Sequence, residues 1–282
     1  MEIIFDNVSY IYQEGTPLEN RALKDINLTI PANKITALIG HSGSGKTTLV
    51  ELINGLLTPT LGSIKVEDFL LTRNNKIDNI NNLRFKVGLV FQFPEEQFFN
   101  TSVREEVEFG MKNFNYKLDK IETRVEQALK MVGLNENILD KNPFELSNGE
   151  KRKVAIASSL IYNPQIIILD EPTVGLDGRS QKTMINLIRQ LKNKYNKTII
   201  IISHDIDMLY KFVDNVVVLK DGEVLCQGGK YEVLQNVELL RENNIGIPRV
   251  VQFCDKVYKT KNIKLGNYCE VNDLIKVIYR NV

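Results

Sequence analysis

Four short stretches of the chain are almost wholly apolar: Ile35–Ile39, Ile166–Leu169, Ile199–Ile202 and Val216–Leu219. Runs of that length with no polar face predict strands covered on both sides, as in the largely parallel sheet of an α/β core. Helical spacing alternates with them, as at Met184, Leu187, Ile188 and Leu191 before Ile199, and that order predicts βαβ units. From about Thr101 to Tyr162 the pattern is helical throughout. Ser102 with Glu105 predicts a capping box. Leu118, Ile121, Val125, Ala128, Leu129 and Val132 form one apolar stripe, closed by Gly133; such a stripe is core packing. A third helix from about Gly149 to Tyr162 stops before Asn163-Pro164. An all-helical insert is therefore expected to interrupt the α/β core. After Gly228-Gly229 the texture changes again: Leu234, Leu239, Leu240, Ile245 and Ile247 precede helical segments around Val250–Tyr258 and Val271–Tyr279. A tail of about fifty residues holds too little core to be stable alone, so it is expected to pack on the main domain or on a partner.

Bulk properties narrow the picture only a little. At 282 residues the chain is near the ceiling for one hydrophobic core, which suits one large domain with an appendage. A net charge of +1 gives no reason to expect nucleic acid as a partner. Cys226, Cys254 and Cys269 are too widely spaced for a zinc site and fit a reducing cytoplasm. Met1-Glu2-Ile3-Ile4-Phe5-Asp6 lacks the basic and apolar regions of a signal peptide. No apolar run approaches the roughly 20 residues of a membrane helix. The expectation is a protein soluble by itself, with docking on a membrane protein left open.

The chemistry begins at Gly40-His41-Ser42-Gly43-Ser44-Gly45-Lys46-Thr47, a complete G-x-x-x-x-G-K-[ST] loop between a predicted strand and a predicted helix. Its glycines let successive backbone N–H groups point at one anion, and the helix opening at Lys46 adds its positive end. Lys46 is expected to reach the β- and γ-phosphates of a nucleotide, and Thr47 to hold Mg²⁺ through its hydroxyl, with Thr48 beside it. His41 occupies a variable position of the loop and reads as incidental. Ile166-Ile167-Ile168-Leu169-Asp170-Glu171 then puts two carboxylates at the C-terminal end of a buried strand, the edge where ligands bind in open parallel sheets. Asp170 suits a water-mediated contact to Mg²⁺. Glu171 suits a general base, or a positioner, for an attacking water. Without the phosphate loop, the pair would read as acidic residues ending a strand at the surface.

Leu146-Ser147-Asn148-Gly149-Glu150 resembles the signature of the ATP-binding cassette (ABC) ATPases, usually Leu-Ser-Gly-Gly-Gln. Gln92 in Val90-Phe91-Gln92 is similar to that family's Q-loop, and Gly175-Leu176-Asp177 to its D-loop. His204 in Ser203-His204-Asp205 is similar to the switch histidine. Tyr12 is similar to the aromatic residue that stacks on adenine, with Tyr10 as the competing candidate two residues away. Order and spacing agree over residues 1–229, so the chain is identified as a member of that family. The resemblance implies an ABC-type P-loop α/β fold: a mixed-sheet core with a helical subdomain at about 96–163, followed by a small helical extension at 230–282. It implies two such domains paired head-to-tail, with ATP between the phosphate loop of one and the signature of the other. Ser147, Asn148 and Gly149 would then face the partner's nucleotide, and Asp177 would cross the interface. Gln92 would touch Mg²⁺ or the attacking water, and His204 would hydrogen-bond the γ-phosphate. Two departures stand out. Asn148 replaces the first signature glycine and Glu150 the glutamine, which puts in doubt the ATP site completed by this signature but not the one built on Lys46, Asp170 and Glu171. Ser147 and Glu150 also satisfy a capping box, so a plain helix start stays open there.

Gln92-Phe93-Pro94-Glu95-Glu96-Gln97-Phe98-Phe99 resembles the Q-loop region of ATPases from energy-coupling factor transporters, importers of vitamins and metal ions. Tyr12-Gln13-Glu14-Gly15-Thr16-Pro17-Leu18-Glu19 resembles an insertion in one of their two paralogous ATPases, and the tail looks like their dimerisation extension. The resemblance implies a heterodimer with a paralogous ATPase, a transmembrane coupling protein and a substrate-binding membrane protein, with this chain at the cytoplasmic face of the membrane. Two alternatives stay open: an ATPase of another transporter, or a soluble cassette acting on ribosomes or DNA. The latter class usually carries two cassettes or long coiled coils, and this chain has neither.

Overall fold

The computed structural model describes residues 2–75, 80–113, 120–262, 265–266 and 274–275. Along the chain lie β1 (Ile3–Tyr12), β2 (Asn20–Ile30), β3 (Ile35–Ile39), α1 (Lys46–Ile53), β4 (Leu61–Val66), β5 (Phe69–Thr72), α2 (Ile80–Lys86) and β6 (Val87–Val90). Next come α3 (Val103–Asn113), α4 (Ile121–Val132), α5 (Asn148–Leu160), β7 (Ile166–Asp170), α6 (Gly178–Tyr195), β8 (Thr198–Ile202), α7 (Ile206–Phe212), β9 (Asn215–Lys220) and β10 (Glu223–Gly229). Short helices α8 (Lys230–Leu234) and α9 (Val237–Glu242) lead to α10 (Arg249–Lys261).

The four apolar runs are the middle of a six-stranded sheet ordered β10-β9-β3-β8-β7-β6, parallel except for β10. Both faces of this sheet are buried, and alternation sorts the residues between two cores. Ile35, Ala37, Ile39, Ile167, Leu169, Ile199 and Ile201 face the helices of the insert, α6 and the C-terminal segment. Leu38, Ile166, Ile168, Ile200 and Ile202 face α1 and an antiparallel sheet ordered β2-β1-β4-β5. The mixed α/β layers with a helical insert are those expected.

The insert comprises α3, α4 and α5. Ser102 Oγ accepts the Glu105 N–H at 3.2 Å at the start of α3. The stripe on α4 buries Val125, Ala128, Leu129 and Val132, and Gly133 ends the helix in the left-handed conformation. Leu118, assigned to the same stripe, lies outside the described residues. So does Cys269, as well as the Val271–Tyr279 segment except Leu274 and Ile275. The C-terminal segment packs on the main domain: Val233, Leu234, Leu240, Ile245, Val250, Val251 and Leu274 join the same apolar cluster as Met208, Leu209 and Tyr210 of α7.

Ile200 is fully buried and pairs across β8 with Thr36 on one side and Ile168 on the other. Ile200→Ala is expected to cost about 2–5 kcal/mol by lost burial and cavity formation. A lowered midpoint in thermal or urea unfolding, with secondary structure intact at low temperature, is the measurement that checks it.

Candidate functional site

The carboxyl ends of β3, β7 and β8 meet at one cavity of about 930 Å³. Register puts them there. Leu38 pairs with Ile202, and Ile202 pairs with Asp170, so the phosphate loop, the two carboxylates and His204 leave the sheet at the same level. Of the residues read from sequence, Tyr12, Ser42, Gly43, Gly45, Lys46, Thr47, Thr48, Gln92, Asp170, Glu171 and His204 line this space.

The loop from Gly40 to Gly45 needs its glycines for steric reasons. A Cβ on Gly40 would strike the Leu219 carbonyl oxygen, and one on Gly45 (φ 100°) would lie 2.6 Å from Leu23 Cδ2 and 2.9 Å from the Ala22 oxygen. Lys46 is buried, and its ammonium donates to the carbonyl oxygens of Gly40 (2.9 Å) and His41 (2.6 Å). Burial lowers its pKa, opposed by the negative charges of Asp170 and Glu171. Asp170 shows the complementary effect: burial, with the neighbouring Glu171 charge, raises its carboxyl above the usual range against the pull of Lys46 and His204. Glu171 is buried in a left-handed backbone conformation (φ 47°), a position that costs roughly 1 kcal/mol for a residue with a Cβ. Its carboxylate accepts the Ser203 hydroxyl at 3.0 Å and the His204 N–H at 2.9 Å, and His204 Nε2 lies 3.7 Å from Oε1.

Tyr12 and Tyr10 part company in the structure. Their rings meet edge-to-face at 4.8 Å, but only Tyr12 lines the cavity, its hydroxyl 3.1 Å from Thr48 Oγ1. Thr47, Gln92 and Asp170 offer a hydroxyl, a carboxamide and a carboxylate to the same space, an all-oxygen set suited to Mg²⁺.

Six of the sequence candidates do not line the cavity: Gly40, Ser44, Ser147, Asn148, Gly149 and Asp177. Ser147 caps α5 with its hydroxyl, Glu150 returns its carboxylate to the Ser147 N–H at 3.0 Å, and Asn148 and Gly149 form the first turn. Gly149 faces Ser180 of α6. Asp177 caps α6 through the N–H groups of Arg179 and Ser180. Gly40 and Ser44 shape the loop from behind. His41 has a partner after all: its Nε2 is 3.1 Å from the Asn243 carbonyl oxygen, linking the phosphate loop to the segment after α9.

Several lining residues were not singled out from sequence: Asn20, Arg21, Ala22 and Lys24 of β2, Gln181 of α6, Ser203, and the Asp221-Gly222 turn. Only Ser203, inside Ser203-His204-Asp205, sat beside a visible signal. Arg152 was missed entirely, although among the described residues it is the largest fully buried side chain.

Residues 23–174 match the family model described as "ABC transporter". The chain is 44% identical over 279 residues to the energy-coupling factor transporter ATP-binding protein EcfA2 of Streptococcus agalactiae serotype Ia, covering 99% of each. It is 42% identical over 280 residues to the EcfA2 of Staphylococcus aureus strain MRSA252, covering 99% of this chain and 98% of that one. Among solved structures it is similar to cbiO1 from Clostridium perfringens, described as part of the ABC transporter complex cbiONQ, with a TM-score of 0.74, 38% identity, and 90% and 98% of the two chains covered. It is also similar to the ATP-binding cassette MJ0796, solved as a dimer bound to ADP and phosphate, with a TM-score of 0.70 and 31% identity over 81% of this chain and 98% of that one.

One consequence of the half-buried Asp170 carboxylate can be read without nucleotide. In the ligand-free chain, Asp170→Asn is expected to raise the melting temperature at pH 7, because the folded state disfavours the Asp170 charge. A raised folded pKa means the handicap is fully present above that pKa and disappears as pH falls below the unfolded value. The difference between variant and wild type should therefore close as pH falls through the carboxylate range. Thermal unfolding across that range checks both the sign and the trend.

Proposed function

Because the chain belongs to the ABC transporter family, as an ATP-binding cassette ATPase, we propose that it is the ATP-driven motor subunit of an energy-coupling factor importer. The observation that carries the reading is the convergence of Lys46, Thr47, Gln92, Asp170, Glu171 and His204 on one cavity, in a chain similar over its length to EcfA2 proteins. Tyr12 stacks on the adenine. The loop N–H groups and Lys46 bind the β- and γ-phosphates. Thr47, Gln92 and Asp170 would hold Mg²⁺, which would supply charge neutralisation on the phosphates. Glu171 orients the attacking water and takes its proton, with its carboxylate fixed from behind by Ser203 and the His204 N–H. The exposed His204 side chain is free to contact the γ-phosphate and report its loss.

The signature residues Ser147, Asn148 and Gly149 lie outside this chain's own cavity, which fits their completing the site of a second cassette. The dimeric MJ0796 cassette supports such pairing. The partner ATPase, a transmembrane coupling protein and a substrate-binding membrane protein complete the machine. This chain sits at the cytoplasmic face of the membrane, and among the described residues no helix is long and apolar enough to cross it. The exposed aromatic pair Phe99 and Phe109, rings 4.5 Å apart, lies where the Gln92–Phe99 segment meets the helical insert, and this surface receives the coupling protein. Residues 1–229 form the ATPase domain with its helical subdomain at about 96–163, and residues 230–282 form the dimerisation extension.

Glu171→Gln is expected to keep Mg-ATP binding and to lower steady-state turnover by roughly 10²–10⁴-fold, the range for a positioned base. Unchanged turnover in the purified complex would remove Glu171 from that role. A mild-detergent pull-down of the tagged chain from its own membranes is expected to bring a second cassette ATPase and a multispanning protein. Recovery of ribosomal or DNA-repair proteins alone would overturn the transport reading.

A further inference from the structure

Arg152 directly follows the first turn of α5, in Lys151-Arg152-Lys153, yet its side chain is buried and reaches two other segments. Nη2 donates to Glu95 Oε1 at 2.7 Å. Nη1 donates to the Glu171 carbonyl oxygen and Nη2 to that of Val174, both at 3.3 Å. The guanidinium sits 5.6 Å from the centre of the Phe93 ring. One cation thus joins the start of α5, the Phe93–Glu95 turn just after Gln92, and the turn that opens at Glu171. Both of those turns hold a residue with a Cβ in the left-handed region, Phe93 at φ 51° and Glu171 at φ 47°, so both need external support.

The ion pair is one bond short of complete. Arg152 Nε and Glu95 Oε2 are both buried and both lack a hydrogen-bond partner. Nε and Nη2 form one edge of the guanidinium fork, and the two carboxylate oxygens match that edge. A small shift of Glu95 relative to α5 would pair the two orphaned atoms. Buried unpartnered polar atoms are costly, so the completed fork is favoured wherever the flanking segments allow it.

From this geometry we infer that Arg152 is a positioning residue for hydrolysis, and that the Arg152–Glu95 fork is the joint through which movement of the Pro94–Gln97 turn reaches the Glu171–Val174 turn. The inference rests on the reading of Glu171 given above. A partner that pushes on the turn changes the fork. The fork resets the two carbonyl anchors that hold the backbone of Glu171, and with it the water-orienting carboxylate. Nucleotide contacts at Tyr12, Lys46 and Thr47 are untouched by this movement.

The experiment compares Arg152→Gln, Arg152→Lys, Glu95→Gln and Glu171→Gln in the intact complex purified from its membranes, with kcat, KM for ATP and transport per ATP read together. Arg152→Gln is expected to lower kcat roughly 10–100-fold, the scale of a displacement of about 1 Å at the reacting groups, with KM changed less than about threefold. Arg152→Lys keeps the buried charge but not the fork, so it is expected not to restore kcat. Glu95→Gln is expected to reduce transport per ATP. Full kcat in Arg152→Lys, or a parallel loss of kcat and ATP affinity in Arg152→Gln, would overturn the inference. If Arg152→Gln fails to fold, Glu95→Gln decides alone, and wild-type transport per ATP in that variant overturns the joint. Normal turnover in Glu171→Gln would instead strike the underlying site assignment.

Discussion

Three ionisable groups share one desolvated space at the carboxyl edge of the inner sheet: Lys46, Asp170 and Glu171. None is comfortable there alone. Burial pushes the Lys46 ammonium toward neutrality while both carboxylates hold it charged, and burial together with the Glu171 charge raises the Asp170 carboxyl. The balance exists only because β3, β8 and β7 are in register, with Leu38 beside Ile202 and Ile202 beside Asp170. A slip of one residue would turn Asp170 to the other face of the sheet. The apolar runs that fill both cores therefore do more than stabilise the domain. They fix the separation of a cation and two anions that water would otherwise keep apart.

That dependence explains which parts of the molecule were legible in the sequence. Ile35–Ile39, Ile166–Leu169, Ile199–Ile202 and Val216–Leu219 read as strands because burial on both faces leaves an unbroken apolar run. The phosphate loop read clearly because its glycines meet a local steric demand. Arg152 could not be read that way. Lys151-Arg152-Lys153 looks like a solvated charge run, and nothing near it in sequence names Glu95, Glu171 or Val174, which reach it only after folding. The cavity wall formed by Asn20–Lys24 and Gly222 has the same character: Lys24 N–H bonds the Gly222 carbonyl at 2.8 Å across nearly the whole cassette. His41 read as incidental because its partner, Asn243, belongs to the C-terminal segment.

The C-terminal segment shows how packing decides where local pattern leaves a choice. Its sequence allowed docking on the core or on another subunit. Val233, Leu234, Leu240, Val250 and Val251 enter the main apolar cluster, and Asp207 of α7 accepts the Arg249 N–H at 2.7 Å at the head of α10. Short helices of this kind owe their stability to such packing, not to propensity.

The two departures in the signature are best judged from the helix they open. Glu150 in place of glutamine would add a negative charge near a bound phosphate if its carboxylate pointed outward. Here it points back: it accepts the Ser147 hydroxyl at 2.6 Å and the Ser147 N–H at 3.0 Å, and these bonds lower its pKa. Its charge is thereby set against the positive end of α5. The cost falls on Ser147, whose hydroxyl proton is committed to Glu150 and must be released before that group can donate to a phosphate across a dimer. Asn148 keeps the backbone N–H of the glycine it replaces and adopts the helical conformation of the first turn, so what it changes is bulk at the face presented to a second cassette. In the proposed head-to-tail pair, donation by this signature's serine to a partner's phosphate therefore requires the Ser147–Glu150 hydrogen bond to open first.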